Sequence, residues 1–158
     1  MSLNELRVPT HATAAEVLCS DGRVFIGRIF VPEASSHHSG PMRTDEWFNE
    51  GTCFFAFLPD DAKSIVILNK EQVAVLTVPA ALDPISIEQQ VVAPQRRVVV
   101  ELSSRRVEGH VLIEMPLGHR RVLDVLNFGD PFLIVRAEDR WHLVRKSLIA
   151  RVVEIEEA

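Results

Sequence analysis

The sequence predicts an all-β protein built from two tandem small β units. Three observations lead there. Apolar residues fall in short runs rich in Val, Ile and Phe, bounded by Gly, Pro, Asp and Ser, which is the pattern of short antiparallel strands. One phrase occurs twice: RTDEWFNEGTCF (Arg43 to Phe54) and RVLDVLNFGDPF (Arg121 to Phe132) both fit Arg-x-x-acid-x-(Phe/Leu)-Asn-x-Gly-x-x-Phe. The flanks of the two copies also match in order, and an internal repeat governs any fold assignment. Upstream, VFIGRIFV matches RVEGHVLI with Gly27 over Gly109; downstream, Lys70 meets Lys146 and Ala74 meets Ala150.

Each copy reads as five short strands. The first is EVLCS in copy one and VVVELS in copy two. A turn follows, SDGR or SSRR; Asp21-Gly22 is a hairpin signal, since Gly takes positive φ at little cost. The second strand, VFIGRIFVP or VEGHVLIEMP, carries Gly27 or Gly109 at its centre, which predicts a bulge or sharp bend. A helical turn comes next, TDEWFNEG or VLDVLNFG. Thr44 is its expected N-cap, and Asn49 with Gly51 its expected stop through the left-handed conformation. Arginine and acid are three positions apart and can meet across one turn. Two strands around a polar tip follow, CFFAFL and SIVILN, or PFLIVR and WHLVRK, and a last strand closes each unit, VAVLTV or IARVVEI.

The expected organisation is a flexible segment over 1–15, a first β-barrel unit over 16–78, a linker with three prolines over 79–95, and a second unit over 96–158. The bulk composition agrees. A chain of 158 residues with 47% apolar content can bury a core for one domain or two small ones. No run approaches the roughly 20 apolar residues that cross a bilayer. The N-terminus lacks a basic start followed by an apolar block, so a cytoplasmic protein without membrane contact is expected. Cys19 and Cys53 both lie in apolar strands and are expected as buried thiols.

Strand, Asp-Gly turn, bent strand with a central Gly, hairpin and short last strand together resemble the SH3-like and Sm-like small barrels. The Arg-x-x-Asp-x-Leu-Asn phrase, carried by Arg121, Asp124, Leu126 and Asn127, followed by a Phe-bearing strand, resembles more narrowly an uncharacterised group of small bacterial β-domain proteins. Copy one departs from it, with Glu46 for the Asp and Phe48 for the Leu. The resemblance implies a tandem pair of such barrels, each with a short helical turn between its second and third strands. It implies no activity and transfers no catalytic residue.

Chemistry is sparse. The histidines His37, His38 and His119 sit in loops without the spacing of converging ligands, so no metal and no cofactor is expected. No serine sits in a nucleophile elbow, and no glycine-rich loop precedes Lys-Ser/Thr, so no enzyme is expected. The repeated polar residues support two readings. As a ligand site, Arg43, Asn49, Arg121 and Asn127 offer forked donors and amides. As structure, the same residues satisfy the ends of a short helix, and this reading is preferred.

Net charge is −5 but uneven: residues 1–95 hold 6 basic and 12 acidic side chains, residues 96–158 hold 11 and 10. Arg96, Arg105, Arg120 and Arg121 in the second copy could form a positive surface for RNA or a nucleotide. The acidic total opposes that. Trp47, Phe48, Phe54, Phe55 and Phe57 cluster, and both faces of the strand with Phe54 and Phe55 read as apolar, which predicts cover by the other unit or a second chain. The function expected is non-catalytic binding or scaffolding of a protein or peptide through a sheet edge or a groove between units, or self-association, with RNA or nucleotide binding as the alternative.

Overall fold

A computed structural model describes residues 9–35, 42–80, 94–113 and 121–156. The described chain is all-β, apart from two short helices and two 3-10 turns. The first half holds β1 (Thr10–Cys19), β2 (Val24–Pro32), α1 (Thr44–Phe48), β3 (Phe54–Pro59), β4 (Val66–Asn69) and β5 (Val73–Pro79). The second half holds β6 (Gln95–Glu101), β7 (Arg106–Leu112), α2 (Val122–Asn127), β8 (Phe132–Arg136), β9 (Arg140–Arg145) and β10 (Arg151–Ile155). A 3-10 turn precedes the last strand of each half, at Lys70–Gln72 and Lys146–Leu148. Neither was expected from the sequence.

All ten strands join one open sheet in the order β10-β6-β7-β8-β9-β5-β1-β2-β3-β4. Every ladder is antiparallel. Within each half the order is the same: last strand, first, second, third, fourth. The registers agree as well. Ala15 opposite Gly27 is matched by Val98 opposite Gly109. Leu18 opposite Val75 is matched by Glu101 opposite Arg151. Arg28 opposite Leu58 is matched by His110 opposite Arg136. Phe54 opposite Asn69 is matched by Phe132 opposite Arg145. Residues so matched are called counterparts below.

The halves are stitched by β5 and β9, which pair from Val75–Val144 to Pro79–Arg140. This places β5 in the middle of the sheet, and it is buried on both faces over Val73–Val78. The continuous apolar run VAVLTV carries that signal, and such runs belong to strands covered on both sides. The sequence leads one to expect two apolar faces on β3 as well, covered by the other unit or a second chain. There Phe55 and Phe57 are buried, but Phe54 is 59% exposed. The hydrophobic core forms two clusters that interlock across the seam. The first-half cluster includes Phe132, Trp141 and Leu143 from the second half. The second-half cluster includes Leu18, Ala74 and Val75 from the first.

Gly22 adopts φ of 91° in the β1–β2 turn, as the Asp-Gly signal requires. Neither strand glycine sits at a bulge, since the β1–β2 and β6–β7 ladders run through Gly27 and Gly109 without a shift. A Cβ on Gly109 would lie 2.5 Å from the Arg136 carbonyl oxygen of β8, and one on Gly27 would collide with the Leu58 carbonyl of β3. These glycines let the next strand cross the second one at close range. Three further expectations are corrected. β1 begins at Thr10, inside the segment expected to be flexible, because Thr10–Leu18 pairs with Val24–Pro32. β6 reaches back to Gln95, the last residue of the expected linker, because Gln95 pairs with Leu112. Cys19 is buried but Cys53 is exposed, since it lies just before β3 begins. Residues 81–93 of that linker lie outside the described residues.

Candidate functional site

The twice-written phrase builds a helical turn in each half, and one lysine pins each turn. Lys70 Nζ donates to the carbonyls of Trp47 (3.4 Å) and Glu50 (3.5 Å) and to Thr52 Oγ1 (3.0 Å). Lys146 Nζ donates to the counterpart carbonyls of Val125 (2.6 Å) and Phe128 (2.9 Å). A cation at the C-terminal end of a helical turn satisfies carbonyls that lack partners inside it. Lys70 is buried and sits 5.3 Å from the Phe48 ring centroid. Burial pushes its ammonium pKa down, and it does the same to Lys146. Both lysines align in the sequence, but nothing local in the sequence reveals their target, which lies some 20 residues upstream.

The other end of each turn uses the arginine and acid, though not alike. Asp124 accepts from the Arg121 backbone N–H (3.1 Å) and from its Nε and Nη2 (3.1 Å each). The expected contact three residues apart therefore forms in the second half. In the first half Arg43 reaches Asp45 instead, at 3.2 Å, while Glu46 bonds Ser35. Arg43 rather than Thr44 occupies the N-cap position, and Thr44 is already helical and buried. Asp45 is buried, and burial raises its carboxyl pKa against the opposing pull of Arg43. Neither Asn49, at φ −83°, nor Gly51 takes up the left-handed conformation expected at the helix stop; Gly129 does, at φ 79°.

Asn49 has a different task. Its Oδ1 accepts the backbone N–H of Phe132 at 3.0 Å, across the seam. Phe48 packs beside it on the Phe132 ring, with centroids 4.6 Å apart. Arg145 clamps the same seam: its Nε donates to the Val73 carbonyl at 3.1 Å and its Nη2 to that of Lys70, while its guanidinium lies 4.6 Å from the Phe132 ring centroid. Thr77 Oγ1 and His142 Nδ1 are 2.8 Å apart, and Arg105 meets Glu16 at 3.5 Å. Burial holds the His142 pKa down, aided by Arg105 and Arg140. The sequence reading missed Arg145 and His142. The apolar β5 run marked the seam, but only the pairing shows which strand faces it.

Beside the seam lies a cavity of about 220 Å³ between α1 and the second half. Its polar lining is Arg43, Asp45, Asn49, Asp130, Arg136 and Lys146. No Ser, Thr, Cys or His is among the described residues that line it. Of the five described residues marked from the sequence as ligand-binding, only Arg43 and Asn49 reach it. Arg105 is held by Glu16 and Arg121 by Asp124, while Asn127 is exposed, and Arg120 lies outside the described residues, as do His37, His38 and His119. Three more second-half arginines face carboxylates, Arg97 with Glu108 and Arg106 and Arg151 with Glu101, while Arg96 donates to the Gln95 carbonyl and is exposed. Among the described residues no group of three or more His, Cys, Asp or Glu could hold a metal ion, and no helix is long and apolar enough to cross a membrane.

The feature that most sets one surface apart is the pair of outer strands. Among the described residues nothing pairs with the outer side of β4 or of β10. On and beside β4, Phe54 (59%), Ile65 (56%) and Ile67 (73%) stand exposed. Their counterparts Phe132, Trp141 and Leu143 are buried in the seam. The chain matches no known family, no curated protein and no solved structure.

Proposed function

We propose that the chain is a non-catalytic binding or scaffolding protein, made of two five-stranded units of the SH3-like or Sm-like kind, and that it works through its outer sheet edges. Unpaired strands offer rows of N–H and C=O groups that recruit an extended segment, and neighbouring apolar side chains give that segment something to bury. The single observation carrying this reading is the exposure of Phe54, Ile65 and Ile67 at the β4 edge, where a globular surface normally places charges or proline. The alternative, RNA or nucleotide binding, has less support. Arg97, Arg105, Arg106, Arg121 and Arg151 each face a carboxylate, which neutralises the charge a phosphate would use. The described residues that line the cavity beside α1 supply no hydroxyl, thiol or imidazole, and its charged groups are engaged in the fold, Arg43 with Asp45 and Lys146 with the carbonyls of Val125 and Phe128, so the cavity supports a catalytic reading less than the edges support binding.

The test is a displayed library of random extended peptides, panned on the immobilised full chain and on Ile67→Asp. Peptides retained by the parent and released by the variant are the expected result. Retention that ignores the substitution, combined with steep salt-dependent binding of an RNA homopolymer, would hand the function to the alternative.

A further inference from the structure

From the seam inside the chain we infer that the outer edges fit each other: β10 of one copy pairs with β4 of the next, head to tail. The inference rests on the edge-binding reading and names the partner as a second copy of this chain. Three observations carry it.

The first is topological. The internal seam joins the last strand of one half, β5, to the fourth strand of the other, β9. The strands left over at the ends of the sheet are the fourth strand of the first half, β4, and the last strand of the second, β10. They are the counterparts of the two that already pair. A contact between unlike surfaces that leaves the same two surfaces free can be repeated from copy to copy, closing to a ring or running on as a filament according to the rotation between copies.

The second is the register. Carrying Val75–Val144 and Leu76–Leu143 over to their counterparts sets Arg151 opposite Leu68 and Val152 opposite Ile67. Val153 then meets Val66, and exposed Lys63 meets exposed Glu156. The two central pairs are apolar on both sides and the Lys63–Glu156 pair has opposite signs, while Arg151 opposite Leu68 and Glu154 opposite Ile65 set a charged side chain beside an apolar one.

The third is the plug. In the seam, Asn49 accepts the Phe132 N–H and Phe48 covers the Phe132 ring. The counterpart plug, Leu126 and Asn127 on α2, has no such target among the described residues; Asn127 is exposed. The counterpart socket, Phe54, is equally uncovered. Across a β10–β4 junction the two come together, with Asn127 Oδ1 placed to accept the Phe54 N–H of the neighbouring copy. Asn69 stands where Arg145 clamps the seam, so the junction between copies lacks that clamp and is weaker than the one within.

Sedimentation equilibrium on the full chain tests this with two variants at exposed positions, Ile67→Asp on β4 and Val153→Asp on β10. Each retains one intact edge. The parent is expected to associate, each variant alone to stay a monomer, and an equimolar mixture of the two to give a 1:1 dimer and nothing larger. Thermal unfolding of each variant at low concentration checks that it is folded; if Val153→Asp is not, Val153→Lys takes its place. A variant that associates alone like the parent means a symmetric edge contact and overturns the inference, as does a mixture that stays monomeric. A parent that is monomeric at every concentration also overturns it. In that case, library peptides still held through Ile67 leave the edge-binding reading standing, and their loss removes both.

Discussion

The seam at β5–β9 and the free ends at β4 and β10 are the same kind of surface in two states. In the seam, Phe132, Trp141 and Leu143 are buried; at the free end Phe54, Ile65 and Ile67 occupy the same places and stand in solvent. Strand order and register alone would make these surfaces equal. What differs is whether a partner strand is supplied by the same chain. The comparison separates two groups of residues. Some, such as Gly27 and Gly109 or Lys70 and Lys146, do the same work in both halves. Others, such as Phe48 and Leu126 or Asn49 and Asn127, have matched positions and unequal surroundings.

The largest expected difference is between Phe48→Ala and Leu126→Ala. Phe48 is fully buried against Phe132 and Phe55, so its truncation is expected to cost about 3–5 kcal/mol by chemical denaturation. Leu126, half-buried at a free end, is expected to cost roughly 1 kcal/mol in the monomer. Equal costs would mean that the seam adds nothing to α1.

Gly27→Val and Gly109→Val should be alike and severe, roughly 3 kcal/mol or more each, because the crossing strand leaves no room for a side chain in either half. A silent substitution at either site would refute the close crossing there. Asn49→Ala is expected to cost about 1–2 kcal/mol, since it leaves the Phe132 N–H without its acceptor. Asn127→Ala, at a position without that contact, should change monomer stability by less than about 0.5 kcal/mol.

The smallest effect is a pH dependence that only the seam carries. His142 has a depressed pKa in the folded chain through burial and the nearby Arg105 and Arg140. The unfolded chain therefore binds more protons between the folded value and the ordinary histidine value. Stability from this group is complete above the ordinary histidine pKa and is lost as pH falls through the lower folded one. Its counterpart Val66 cannot titrate. In His142→Gln, the fall in melting temperature on mild acidification should be reduced; an unchanged profile would place the titration elsewhere.

Much of the fold is legible in the sequence because it is local. Val/Ile/Phe runs, the Asp21-Gly22 turn and the central glycines mark the strands, and the matched phrase marks where a helical turn interrupts them. What remains hidden depends on contacts far apart in the chain. Thr44, Asp45 and Glu46 look like a helix start under any rule, yet Arg43 takes the cap position because Thr44 and Asp45 are drawn into the core. Asn49 reads as a stop residue because its identity suits a stop; its acceptor role depends on Phe132, 83 positions away. The site was harder still. Arg105 and Arg121 look available in the sequence, and both turn out to face carboxylates, one of them in the other half. At the exposed edge the sequence marks only Phe54, through the two apolar faces of its strand; Ile65 and Ile67 look like core residues, and only the sheet order shows them uncovered.

Amide hydrogen exchange as a function of protein concentration addresses both states of this surface in one sample. Amides of the β5–β9 ladder should be protected to the same extent at every concentration. The outward-facing amides of β4 and β10 should exchange freely in dilute solution and slow together as concentration rises. Seam amides that exchange as fast as the edges, or edges whose exchange ignores concentration, would contradict the account.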